Sequence, residues 1–168
     1  MGYMTYFSGE FKLNKPLEHN HMEYLLAFKG TRRMKRRAID TVAMPDIKRE
    51  AVGLTVGKEG GYFVGNEHSL GQVCSADVLD YNSPPDGQPG LWCQWEPNEA
   101  GTAIVWDGGE KFYDYVKWIE YLIEHFLKPW GYVLSGEVEW IGEDPDDRGK
   151  IICRNNAVTT KRALITYQ

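Results

Sequence analysis

Tyr6-Phe-Ser-Gly-Glu-Phe-Lys-Leu13 opens the chain with a clean alternation. Phe7, Gly9, Phe11 and Leu13 face one way, and Tyr6, Ser8, Glu10 and Lys12 the other. That is the pattern of a strand with one face in a core and one in solvent. It returns near the other end as Leu134-Ser-Gly-Glu-Val-Glu-Trp140: apolar, Ser, Gly, Glu, apolar, charged, apolar. No other similarity relates the two halves, so duplication is not required. Two central strands of one sheet, each with a glycine where a helix packs close, explain the echo.

Between these strands the periodicity changes. Residues 17–29 read as a short helix with Met22, Leu25, Leu26 and Phe28 as its apolar positions. Gly30 ends it, and Thr31 is placed to cap a weaker helix over residues 32–42, closed by Pro45. From 46 to 81 the pattern is poor, with a turn or short hairpin expected at 56–65 and a loop at 67–80. Residues 43–90 together make a loop-rich insertion, of the kind a compact domain carries when it has a use for it.

Residues 91–97 and 102–106 read as short strands joined by a hairpin at Asn98-Glu-Ala-Gly101. Asp107-Gly-Gly-Glu110 matches a capping box, followed by Phe112, Tyr115, Val116, Ile119, Leu122, Ile123, Phe126 and Leu127 at helical spacing. Glu124 and Lys128 make a favourable i,i+4 pair, and Pro129 closes the helix. A second alternating strand over 132–142, the acidic turn 143–149 and a hairpin partner over 150–154 follow, with a last edge strand or a frayed tail from Lys161. The element order predicts an α+β fold in one domain over 1–168. Its form is a ferredoxin-like antiparallel sheet with two main helices, an extra C-terminal β-hairpin and a long inserted loop region.

Composition bounds the function. Of 168 residues, 42% are hydrophobic and 26% charged, as in a globular protein with a substantial core. A net charge of -5 argues against general nucleic-acid binding, which needs a net basic face. Cys74, Cys93 and Cys153 are odd in number with no CxxC spacing, which disfavours structural zinc and suits a reducing compartment. The N-terminus reads as a strand rather than a secretory signal. Tyr6 stands where a myristoylation site would want Ser or Thr, and no apolar run nears the ~20 residues that span a bilayer. A cytoplasmic protein without membrane attachment is expected.

Several pieces together carry a resemblance: Met1-Gly-Tyr-Met-Thr5 with Ser8-Gly-Glu10, Trp106-Asp-Gly-Gly-Glu-Lys-Phe-Tyr-Asp-Tyr115, Gly136-Glu-Val-Glu-Trp140 and Gly142-Glu-Asp-Pro-Asp-Asp147. The chain resembles a family of small uncharacterised bacterial and phage proteins over both ends and the main helix. The resemblance brings no catalytic residues. It implies an accessory protein of phage or mobile-element genomes, of the host-defence inhibitor type.

Two clusters stand out as binding candidates. Arg32-Arg-Met-Lys-Arg-Arg37 puts five positive charges in six residues, suited to a phosphate-bearing ligand or an acidic partner, or else to a solvated face. The stiff run Tyr81-Asn-Ser-Pro-Pro-Asp-Gly-Gln-Pro-Gly-Leu-Trp-Cys-Gln-Trp95 leads into all six tryptophans. Strand alternation puts Trp92 and Gln94 on one face, with Leu91, Cys93 and Trp95 on the other. Arg32, Arg33 and Arg36 for negative charge, Tyr81 and Gln88 from the stiff loop, and Trp92, Gln94 and Trp95 for ring and edge contacts form the candidate site. Its expected partner is a host protein or a small anionic aromatic ligand such as a nucleotide.

Other constellations weigh less. His19-Asn20-His21 puts its histidines on different sides of a helix, so no metal pair is expected. Residues 57–65 lack the ending of a phosphate loop, and the acidic turn 143–147 lacks the length and closing Glu of an EF-hand. Glu10 and Glu137 occupy matching outward strand positions, which raises a hydrolase using paired carboxylates. A non-enzymatic binding protein without a cofactor is the leading expectation. The carboxylate enzyme is one alternative. The other is a toxin-neutralising, immunity-type protein with acidic residues, including 143–147, at the centre of its surface.

Overall fold

The computed structural model describes residues 2–37, 47–54 and 78–168. In chain order the strands are β1 (Thr5–Leu13), β2 (Lys35–Arg36), β3 (Val78–Asp80), β4 (Trp95–Pro97), β5 (Ala103–Trp106), β6 (Leu134–Gly142), β7 (Arg148–Arg154) and β8 (Ala157–Arg162). The helices are α1 (His19–Lys29), α2 (Ile47–Ala51) and α3 (Tyr115–Leu122), the last continued by a π-helical turn over Ile123–Leu127. They fall into two compact units. One holds the residues up to Leu17 and from Gln94 onward, the other those from Glu18 to Cys93. The hairpin expected at 56–65 lies outside the described residues, as do the Ala38, Ile39 and Val42 positions of the expected second helix.

The fold is α+β. In the first unit six strands form an open sheet in the order β4-β5-β1-β6-β7-β8, with every neighbouring pair antiparallel. Its spine is the pairing of β1 with β6 over the whole length of both strands, from Thr5↔Gly142 to Leu13↔Leu134. The two Ser-Gly-Glu motifs meet in this register. Glu10 lies opposite Glu137, Gly9 opposite Val138, and Gly136 opposite Phe11. Each motif's glycine thus faces the other motif's apolar residue, a local two-fold arrangement around the Glu10–Glu137 pair.

The glycines answer to the neighbouring strand, not to a helix as the echo suggested. Gly9 (φ 109°) and Gly136 (φ 154°) adopt backbone angles that side chains disfavour. A Cβ on Gly9 would press on the Glu137 carbonyl, and one on Gly136 would collide with the Glu10 carbonyl. Backbone approach between two strands, rather than helix packing, is what excludes a side chain here.

On the covered face α3 lies over an aromatic core, as its apolar spacing predicts. Phe7 sits at the centre, with ring centroids 4.8 Å from Tyr115, 5.3 Å from Trp95, 5.4 Å from Trp106 and 5.8 Å from Phe112. These contacts are mostly edge-to-face, and each such pair contributes roughly 0.5–1.5 kcal/mol beyond its buried area. Trp118, Ile119, Leu122, Phe126, Leu134, Val138 and Ile151 complete the interior. Cys153 is buried there too, its Sγ donating to the Leu134 carbonyl at 3.1 Å, and burial pushes its thiol up to about 11. Neither Cys93 nor Cys153 takes part in a disulfide.

The start of α3 differs from the expected capping box. Asp107 Oδ1 accepts from the Gly109 amide at 2.7 Å, a local Asx turn, and the Glu110 carbonyl accepts from Gln94 Nε2 at 2.7 Å. Lys111 (φ 56°) and Asp114 (φ 53°) are left-handed, which rules out a continuous helix from Asp107. The helix begins only at Tyr115. An Asp followed by two glycines satisfies its own turn as readily as it caps a helix, and here the turn wins. The expected Glu124–Lys128 pair is present at 3.5 Å.

In the second unit α1 forms close to its expected limits, but the helix expected from Arg32 does not continue it. Thr31 does not cap a new helix. Its hydroxyl donates back to the Ala27 carbonyl at 2.7 Å. The chain then runs extended, with the Arg33 amide donating to the Leu91 carbonyl at 2.8 Å, the Lys35 amide to the Ser83 carbonyl at 2.9 Å, and β2 pairing with β3. The backbone of the basic run is satisfied by the stiff proline-bearing segment, which overrides a weak helical stripe. No helix among the described residues is long and apolar enough to cross a membrane.

The glycine account is checked by Gly136→Ala. With a left-handed φ and a blocked Cβ position, the variant should lose roughly 2 kcal/mol or more in chemical denaturation. Ser8→Ala, at an exposed position of β1 beside Gly9, serves as the control and should lose far less.

Candidate functional site

A cluster of carboxylates and tyrosines gathers in the first unit at the end of the sheet where β6 turns into β7. The turn is closed by the Gly142 amide on the Asp147 carbonyl at 2.7 Å and the Asp147 amide on the Asp144 carbonyl at 2.9 Å. The residues before β1 fold onto it. Tyr3 Oη donates to Asp147 Oδ2 at 2.8 Å and accepts from the Asp144 amide at 3.1 Å, while the Met4 amide donates to Glu143 Oε1 at 2.7 Å. Trp140 Nε1 donates to the other Asp147 oxygen at 3.0 Å. Asp147 is thereby an organising carboxylate, held from both sides.

The segment before α3 supplies the third wall. Its left-handed residues Lys111 and Asp114 turn Phe112 inward and leave Tyr113 outward, 2% and 52% exposed respectively. Tyr113 Oη accepts from the Tyr3 amide at 3.1 Å. Between these walls is an open depression of about 470 Å³ lined by Tyr3, Thr5, Phe112, Tyr113, Tyr115, four aspartates (114, 144, 146, 147) and a single cation, Arg162. Arg162 is 76% exposed and stands 4.0 Å from Asp147 Oδ1. Aromatic rings under a rim of carboxylates are suited to a cationic group, which gains from both the ring faces and the charges.

The residues singled out from the sequence divide between the units. In the second unit the structure brings together Arg32, Arg33, Tyr81 and Gln88. The Arg32 guanidinium stacks 4.0 Å over the Tyr81 ring, donating to the Tyr81 carbonyl at 3.0 Å and to Asn82 Oδ1 at 3.2 Å. Arg33 is buried, lies 4.5 Å over Phe28, and donates to Gln88 Oε1 at 3.1 Å. Gln88 Nε2 is buried with no acceptor among the described residues. Arg36 lies in β2 and Trp92 is half-buried in the same unit. Arg32 and Arg33 thus meet the stiff loop and hold it in place. Arg33 offers no surface charge.

Gln94 and Trp95 belong to the first unit and serve its interior. Trp95 is 1% exposed and donates from Nε1 to the Tyr115 carbonyl at 2.8 Å, so it is a core ring and not a contact surface. Gln94 Oε1 accepts from Trp106 Nε1 at 3.0 Å. Cys93 and Trp95 are buried and Trp92 and Gln94 only partly so, but Leu91 is half-buried as well, and the strand expected over 91–97 begins only at Trp95. Glu10 and Glu137 are direct neighbours on the uncovered face, with side chains 44% and 49% exposed. Lys12 stands 4.0 Å from Glu10, and Lys150 stands 3.3 Å from Glu137 and 3.4 Å from Glu139. Those two carboxylates raise the Lys150 pKa. His19 pairs with Glu23 at 3.2 Å while His21 is buried, and no group of three metal-ligating side chains lies together among the described residues.

Tyr3, Tyr113 and Asp114 were not foreseen as site residues. The acidic turn was noted, but nothing in the sequence says that the N-terminal tyrosine and the segment before α3 fold onto it. The depression has a titration signature. Burial first, and the Asp147 carboxylate second, push the Tyr115 phenol from 10.0 to about 12. In the unfolded chain it ionises near its ordinary value, so native stability is complete below pH 10 and falls as the pH rises toward 12. Tyr115→Phe should flatten that alkaline decline and remove a component of the tyrosinate absorbance that ionises near pH 12, measured by pH-dependent denaturation and ultraviolet titration.

In comparisons with known proteins, no family model, no curated protein and no solved structure matches this chain.

Proposed function

We propose that this protein works by binding, capturing a cationic group of a partner protein in the tyrosine–aspartate depression at the end of its sheet. The observation that carries this reading is the combination in one open cavity of three tyrosines, four aspartates and one loosely held arginine. A net charge of -5 favours a basic partner over long range, through steering rather than contact energy. An immunity-type or inhibitor-type accessory protein, neutralising a basic host or toxin surface, fits that chemistry. An anionic aromatic ligand at the arginine-rich run has less support, because Arg32 and Arg33 already engage Tyr81, Asn82, Phe28 and Gln88.

The frame that presents this site is proposed to be ferredoxin-like. The support is the sheet order β4-β5-β1-β6, antiparallel throughout, with α1 following β1 and α3 following β5 along the chain. The hairpin of β7 and β8 then extends it past β6.

A short oligo-arginine peptide titrated into isotopically labelled protein tests the binding reading. Amide shifts should concentrate at Tyr3, Tyr113, Asp114 and Asp144. Asp144 and Asp146 are exposed, so the double variant Asp144→Asn/Asp146→Asn should stay folded and bind roughly five- to tenfold more weakly at low salt. Shifts scattered evenly over the acidic residues of the chain would sink the proposal.

A further inference from the structure

The sheet ends at β8, and among the described residues no strand pairs with its outer edge. The backbone of that edge can be assigned group by group. Arg154 and Ala157 close a two-residue turn whose central residues, Asn155 (φ 48°) and Asn156 (φ 69°), are both left-handed, the tight hairpin geometry that bonds its closing pair. At the far end the Ala163 amide donates to the Arg148 carbonyl at 2.9 Å. Hydrogen-bonded pairs alternate along an antiparallel ladder, so Ala157, Thr159, Lys161 and Ala163 turn their backbone groups toward β7. Val158, Thr160 and Arg162 therefore turn theirs outward. Thr159, Thr160, Lys161 and Arg162 are all exposed.

The side chains around this edge have one sign. β7 and β8 carry Arg148, Lys150, Arg154, Lys161 and Arg162 and not one carboxylate. Lys150 is taken up by Glu137 and Glu139 of β6, and Arg162 leans toward Asp147. Arg148, Arg154 and Lys161 make no ion pair among the described residues. Ladder partners share a face, so Arg148, Lys150, Arg154 and Lys161 all project from the uncovered side of the sheet. Beside the edge is a depression of about 330 Å³ lined by Ile141, Arg148, Lys150, Lys161 and Arg162 among others. A bare edge with lysine is also how proteins discourage strand pairing. Cations block an apolar or basic strand, however, and favour one that brings carboxylates.

We propose that β8 is a docking edge for an extended acidic segment of a partner protein, which adds as a strand to Val158, Thr160 and Arg162 and sets its carboxylates against Arg148, Arg154 and Lys161. Main-chain bonds supply the geometry of such strand addition, and charge supplies the selection. This edge takes the opposite charge to the tyrosine–aspartate depression and shares only Arg162 with it. Val158 and Thr160 do not line that depression, so protection of their amides tests the edge independently of the function proposed above.

The test uses the full chain and a peptide of about seven residues that alternates Glu with Val or Thr, long enough for an ordinary strand. The amides of Val158, Thr160 and Arg162 should gain protection from hydrogen exchange. Those of Ala157, Thr159 and Lys161, already bonded inward, should change little. The same peptide with Lys in place of Glu should fail to bind, and Arg148→Glu/Lys161→Glu should weaken binding roughly tenfold. Thr160→Pro removes an outward N–H without touching the ladder, so it should abolish binding while the circular dichroism of the protein is kept. Binding without protection of those three amides, equal binding of the Lys peptide, or no binding at all would overturn the proposal. So would a single-stranded oligonucleotide that shifts Arg148, Arg154 and Lys161 more strongly than the peptide while leaving the three amides unprotected. The exchange measurement needs no variant, so it decides the matter even if Thr160→Pro does not fold.

Discussion

The close pairing of β1 with β6 is the constraint on which the first unit rests. A slip of one residue would invert one strand against the other, sending either Phe7 and Phe11 or Val138 and Trp140 into solvent and Glu10 or Glu137 and Glu139 into the core. Two glycines pin the register. At Gly9 and Gly136 the neighbouring carbonyl occupies the space a side chain would need, so each strand admits the other at one alignment. Everything downstream is hung on it. β5 and β4 extend from β1, β7 and β8 from β6, and the acidic turn meets Tyr3 because Thr5 lies opposite Gly142.

The second unit is held differently. The two strands among its described residues are short, and three of its arginines are engaged with aromatic side chains. Arg32 lies over Tyr81, Arg33 over Phe28, and Arg49 donates to the Tyr24 hydroxyl at 3.2 Å in a buried contact. A planar, weakly hydrated guanidinium can stack and donate at once, which lets it sit where an ammonium would not. The turn that receives Arg32 is itself charged and ordered. The Ser83 hydroxyl and the Asn82 amide hold the Asp80 carboxyl below the ordinary carboxylate range. A run of basic residues that looks like a ligand-binding surface in one dimension is here largely internal fastening.

Charge in the first unit is sorted by location. Carboxylates gather around tyrosines at the β6–β7 turn, and cations gather along β7 and β8 on the uncovered face. Arg162 stands at the border, lining both depressions. Such sorting places patches of opposite charge on one hairpin.

Alternation and spacing in the sequence determined both long strands, the faces of Phe7, Phe11, Val138 and Trp140, helix α1, the apolar face of α3, the β4–β5 hairpin and the α+β class. Those features depend on which side of a strand or helix meets water, a property each segment carries alone. The tertiary structure decided the rest. Asp107 made a local turn because Lys111 and Asp114 took left-handed angles, and the basic run became extended because the stiff segment met its backbone groups. Trp95 went to the core and Arg33 to a buried contact with Gln88, although both residue types are common at binding surfaces. The tyrosine–aspartate depression joins residues 3, 113–115 and 144–147, whose proximity follows from sheet register and chain reversal. No local pattern encodes a meeting of three distant segments, because its energy is realised only once the strands between them have paired.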